Sequence, residues 1–114
     1  MGKIDKLRAL ITIFTLLISS TVYGHDNTGQ AKYLGNAAVL VQANNTKVLF
    51  DPFFQQNFSI YQFVPNDIRS AIFQGKAPYN NIDFVFISHA HDDHFSAKDV
   101  MLYLVEHPQV QLVA

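Results

Sequence analysis

The sequence predicts an α/β fold, one that some schemes would class as α+β. Three observations carry this. Residues 38–50 read as a β-hairpin. Residues 82–87 form an apolar run of strand length. A helical segment then follows, and a second apolar run, residues 110–114, comes after it. A strand–helix–strand order implies a parallel crossover, because parallel neighbours cannot be joined by a tight turn.

The elements follow in chain order. Residues 1–24 are set apart from the fold. Lys3, Lys6 and Arg8 outnumber Asp5, the apolar run 9–18 comes next, and Val22 and Gly24 supply small residues before a cleavage point. This is the layout of a secretory signal peptide. The run is shorter than the roughly 20 apolar residues a membrane-spanning helix needs, so no stable membrane anchor is expected. Export to the periplasm or secretion follows. Residues 25–30 read as a polar lead-in, and His25 becomes the mature N-terminus. Residues 31–114 make up the domain.

Residues 31–37 continue as extended structure. In the hairpin, Ala38–Val41 and Lys47–Phe50 are β-prone, and Ala43-Asn44-Asn45-Thr46 forms the turn, since Asn tolerates positive φ. Pro52 ends the second strand, because it lacks a ladder donor. Residues 53–64 are aromatic and aperiodic. Phe53, Phe54, Phe58, Tyr61 and Phe63 are expected to pack a loop onto the core, with an apolar substrate pocket as the alternative. Asn66 is expected to cap a short helix over 67–74, closed by Gly75 and Pro78.

The run Ile82–Ile87 is apolar throughout, which predicts burial on both faces. Ser96 is the expected N-cap of the next helix, with Asp99 near its positive end. Val100, Met101, Leu104 and Val105 form its expected apolar face. His107 reads as a residue favourable at a helix C-terminus.

Composition narrows the chemistry. The chain has 114 residues, a net charge of −1, 49% hydrophobic and 15% charged residues, and no Cys. Near-neutral charge argues against nucleic acid as a partner. The lack of Cys excludes disulfides, thiolate zinc sites and a Cys nucleophile. Any metal must be held by His and carboxylates.

Such residues cluster at one place, His89-Ala90-His91-Asp92-Asp93-His94, directly after the apolar strand. Ligand sites in α/β folds gather at the carboxyl ends of strands. Alternate residues of an extended chain point the same way, so His89 and His91 can aim both imidazoles at one point. Asp93 and His94 add a carboxylate and a third imidazole. This donor set suits zinc, with manganese or iron as alternatives. Asp92 is expected to be a solvated charge. Asp51 reads either as a turn residue before Pro52 or as a carboxylate that orients ligand imidazoles.

The run His89-Ala-His91-Asp-Asp93-His94 resembles the His-x-His-x-Asp-His signature of the metallo-β-lactamase-fold hydrolases. Val48-Leu49-Phe50-Asp51-Pro52 is similar to that family's hairpin ending in Asp. Tyr33-Leu34-Gly35-Asn36 and Tyr61-Gln-Phe-Val-Pro65 are similar to stretches in a branch of its secreted members. The resemblance implies an αββα sandwich with one or two metals acting on a small-molecule substrate. It places His89 and His91 on the first metal and Asp93 and His94 on the second. Asp51 supports the site, and Asp93 can help orient or deprotonate the water.

The family's later His, bridging Asp and final His have no counterpart within the 114 residues. The expectation is therefore the front part of such a domain, truncated and inactive alone. A non-catalytic metal-binding module and a non-functional product are the rivals.

Overall fold

The computed structural model describes Gly2 and residues 28–114. Apart from Gly2, the expected leader 1–24 and residues 25–27 lie outside the described residues. Seven elements follow: β1 (Gln30–Gly35), β2 (Ala38–Ala43), β3 (Thr46–Phe50), α1 (Asn66–Phe73), β4 (Phe84–Phe86), α2 (Ala97–Glu106) and β5 (Gln111–Val113). They build one five-stranded sheet in the order β1-β2-β3-β4-β5. β1, β2 and β3 pair antiparallel, whereas β3, β4 and β5 pair parallel. Both parallel steps cross over through a helix, as the strand–helix–strand order requires.

The hairpin register is set by its turn. Asn44 takes a left-handed φ of 54°, and Ala43 pairs with Thr46. Leu40, Leu49, Val85 and Leu112 fall in one row across the sheet. The first three are buried, in one cluster with Phe53, Ile72, Val100 and Tyr103, so this is the face the helices cover. No helix among the described residues is long and apolar enough to cross a membrane.

Four expectations are corrected. First, burial on both faces fails for the 82–87 run. Only Phe84–Phe86 pairs as strand. Val85 and Ile87 are buried, but Phe84 and Phe86 stay half-buried on the face away from the helices, where Phe86 packs 5.3 Å from Phe50. Second, Asn66 is the first helical residue rather than the cap. Pro65 occupies the cap position with no side-chain bond, and its fixed φ suits it to a helix start. Gly75 does close α1. At φ 61° it lets its own N–H reach Ile72 O and the Lys76 N–H reach Ala71 O, a Schellman ending.

Third, Met101 and Val105 are 61% and 74% exposed. The buried stripe of α2 is Asp99, Val100 and Tyr103. The helix has turned to bury a carboxylate, because partners wait for it. Arg69 lies 3.0 Å from Asp99 Oδ1, and Gln55 donates to Oδ2 at 3.0 Å. Fourth, the aromatic segment divides. Phe53 and Phe54 are core residues, whereas Phe58, Tyr61 and Phe63 are exposed.

His107 does sit at the end of α2, and its backbone N–H bonds Tyr103 O. Its ring serves the other helix. Nε2 lies 2.8 Å from Phe73 O, so Nε2 carries the proton and donates to the last carbonyl of α1.

Candidate metal centre

The carboxyl ends of β3 and β4 deliver Asp51 and the loop 88–96 to one place. Asp51 leaves β3 at a left-handed φ of 40°, and its N–H donates to Phe86 O on the neighbouring strand at 2.9 Å. That turn directs a 4% exposed carboxylate at the start of the loop. The Ser88 N–H donates to Asp51 Oδ1 at 2.7 Å, and the Ser88 hydroxyl donates to Oδ2 at 2.6 Å. His94 Nδ1 lies 2.8 Å from the same Oδ2.

These contacts fix two tautomers. An ionised carboxylate only accepts, so the His94 proton is on Nδ1. Ser88 spends its single proton on Asp51. Its oxygen must therefore accept from His89 Nδ1, which stands 2.9 Å away. In the neutral form of each ring, Nε2 is then the nitrogen that carries the lone pair. Orientation of a ligand ring through its other nitrogen is the usual second layer of a metal site.

The rings are close together. His89 lies 4.0 Å from His94 and 4.6 Å from His91 between centroids. His94 Nε2 and Asp93 Oδ2 are 3.5 Å apart. Two ligands of one tetrahedral zinc, each about 2.0–2.1 Å from it, stand about 3.3 Å apart. The donor chemistry and the spacing of this one pair are compatible with a divalent metal. Among the described residues, no three His, Asp or Glu side chains are gathered as a complete metal site.

The loop is fastened from three further sides. His94 and Phe95 N–H groups both bond His91 O, closing the turn, and Ser96 N–H bonds Phe53 O at 2.8 Å. The Gln56 N–H reaches Asp92 O at 3.3 Å. Asn36, at the β1–β2 tip with φ 44°, donates Nδ2 to Asp93 O at 2.8 Å.

Of the expected site residues, His89, Asp93, His94 and Asp51 are brought together. His91 joins through the His89 ring, its side chain open to solvent. Asp92 is exposed, as a solvated charge should be. Two residues were not foreseen as parts of the site. Ser88 holds His89, and the only sequence sign was a hydroxyl residue directly before the cluster. Asn36 holds the Asp93 backbone, and its sign was a Gly-Asn pair at a hairpin tip.

Parallel strands that present a histidine-rich loop at their carboxyl ends, braced by a carboxylate from the adjacent strand, define an α/β domain with a strand-end polar site. The family model for the beta-lactamase superfamily domain matches residues 30–113, and the chain belongs to this family. No curated protein matches the sequence.

Proposed function

We propose that the protein is a zinc-dependent hydrolase of small-molecule substrates, using one or two ions. Manganese and iron are the alternative metals. The observation that carries the reading is the Asp51–Ser88 pair. It engages Nδ1 of His89 and of His94, which leaves Nε2 of each as a ligand. His89 and His91 would hold the first metal, and Asp93 and His94 the second. Zinc, when bound, acidifies water enough to supply a nucleophile at neutral pH.

The chain's own residues orient and hold. Asp51 and Ser88 engage Nδ1 of both imidazoles and so direct Nε2 of each into the site. Asp93, its carbonyl fixed by Asn36, orients the attacking water and accepts its proton. The bond attacked is a lactam, lactone, thioester or phosphoester.

A test is zinc titration of the wild type and of the His89→Ala/His91→Ala double variant. Tight zinc binding in the wild type and its loss in the variant support the reading. Equal affinity in both places the site elsewhere.

A non-catalytic metal-binding module is the second reading. It is favoured by the lack of three gathered donors among the described residues. Ester and lactam hydrolysis by zinc-loaded protein, lost in His89→Ala, separates the two.

We also infer export, from the layout of residues 1–24. Mass spectrometry of periplasmic or secreted protein should find His25 at the N-terminus. An intact Met1 in a membrane fraction overturns this.

A further inference from the structure

One exposed aromatic shares a cavity with the donor loop. Phe58, Ala90, His91, Asp92 and Asp93 line a space of about 440 Å³, within the size range of small-molecule sites. The lining includes two of the proposed ligands, His91 and Asp93, and the Phe58 ring, which is 56% exposed.

The backbone holds Phe58 there against its own preference. Phe58 and Ser59 take successive left-handed φ values of 50° and 58°. Each non-glycine residue in that region costs about 1–2 kcal/mol. Asn57 sustains the turn. Its Oδ1 accepts the Ser59 N–H at 3.0 Å, and its carbonyl accepts the Ile60 and Tyr61 N–H groups at 2.9 and 3.0 Å. The neighbouring Gln56 N–H bonds Asp92 O, which ties the turn to the donor loop.

The same segment buries Phe53 and Phe54 and exposes Phe58, Ile60, Tyr61 and Phe63. Of these exposed side chains, Phe58 is the one that shares a lining with the donor loop. Strain kept at a ligand-facing position is a mark of function when the surroundings over-determine it. The charge on the cavity selects further. Asp92 presents an exposed carboxylate there, so a second anion is disfavoured.

We propose that Phe58 is the apolar wall of the substrate site, and that the substrate carries an uncharged alkyl or aryl group next to its scissile bond. This rests on the hydrolase reading above. Phe58 determines specificity through contact with that group and plays no part in holding metal.

The experiment is calorimetric titration of zinc-loaded protein with three hydroxamates, which share a metal-binding head. Acetohydroxamate has no tail, octanohydroxamate has an apolar tail, and suberic monohydroxamate has the same length ending in a carboxylate. Octanohydroxamate should bind at least about tenfold more tightly than acetohydroxamate, the gain from burying about two methylenes. The gain should disappear in Phe58→Ala and largely persist in Phe58→Leu, with zinc affinity unchanged in both. No gain in the wild type, an equal gain in Phe58→Ala, or tighter binding of the anionic tail each overturns the proposal while leaving the metal site standing. Failure of the wild type to bind zinc overturns the hydrolase reading and this proposal with it.

Discussion

His94 Nδ1 stands 2.8 Å from Asp51 Oδ2 and joins the end of the donor loop to the end of β3. Three donors meet this one buried carboxylate: the ring of His94, and the N–H and hydroxyl of Ser88. Asp51 thus ties both ends of the donor loop, Ser88 and His94, to the end of β3.

Asp51→Ala should be costly for two reasons. It leaves three donors without their acceptor, and it puts a Cβ-bearing residue without local side-chain bonds at φ 40°. Urea unfolding should show a loss of about 2–3 kcal/mol. Asp51→Asn tolerates the left-handed backbone and keeps one acceptor, so it should lose less. Matching midpoints for Asp51→Ala and wild type would show that the bonds carry no net stability.

Gly35→Ala should be among the most damaging changes at an apolar position. At φ 152°, an added Cβ would sit 2.7 Å from Phe63 O and 2.8 Å from Val64 N. Those are backbone atoms and cannot swing aside. A loss of about 2–3 kcal/mol is expected in thermal or urea unfolding. Zinc affinity should fall as well, because the adjacent Asn36 holds the carbonyl of Asp93. Unchanged stability would mean the β1–β2 tip moves freely off residues 63–64.

The hairpin and the two crossovers were legible because local pattern decides them. Asn44 supplies the turn, and the 82–87 and 110–114 runs supply parallel strands on either side of a helix. The orientation of α2 was not legible. Met101 and Val105 have the right spacing and chemistry for a core face, yet Asp99 is buried in their place. What decides is Arg69, thirty positions away, with Gln55. Spacing along a helix cannot register such partners. The donor loop was legible as a cluster of ligand types. Ser88 was not, because a serine at a strand end becomes informative only when Asp51, 37 positions distant, is seen against it.

The Asp99 pair should produce a pH-dependent share of stability. Burial opposes the Asp99 charge, but bonds from Arg69 and Gln55, the Arg69 charge and a bond from Ser96 outweigh it and hold the carboxyl below the usual 3.8. A carboxyl lowered on folding stabilises the fold above its unfolded pKa. That contribution is lost as pH falls through the folded value. Arg69→Met should therefore be clearly less stable than wild type at pH 6, and the gap should close as pH falls below 3.8 and through the lowered folded value. Urea midpoints across pH 2–7 measure this, and a constant gap would remove the ion pair as its cause.

Ser88→Ala separates ring orientation from ligation. Ser88 touches no proposed metal. Its hydroxyl donates to Asp51 at 2.6 Å and accepts from His89 Nδ1 at 2.9 Å. Removing it frees His89 to rotate or to carry its proton on Nε2, where a metal cannot bind. Loss of such a supporting bond typically costs 10–100-fold in metal affinity, and about tenfold or more is expected here. Stability without metal should change by less than about 1 kcal/mol, since Ser88 is exposed and water can replace the hydroxyl. Ser88→Thr keeps the hydroxyl and should bind zinc nearly as the wild type does. A deficit shared by Ala and Thr would point to packing. No deficit in either would mean that Asp51 and His94 hold the site without help from His89's orientation.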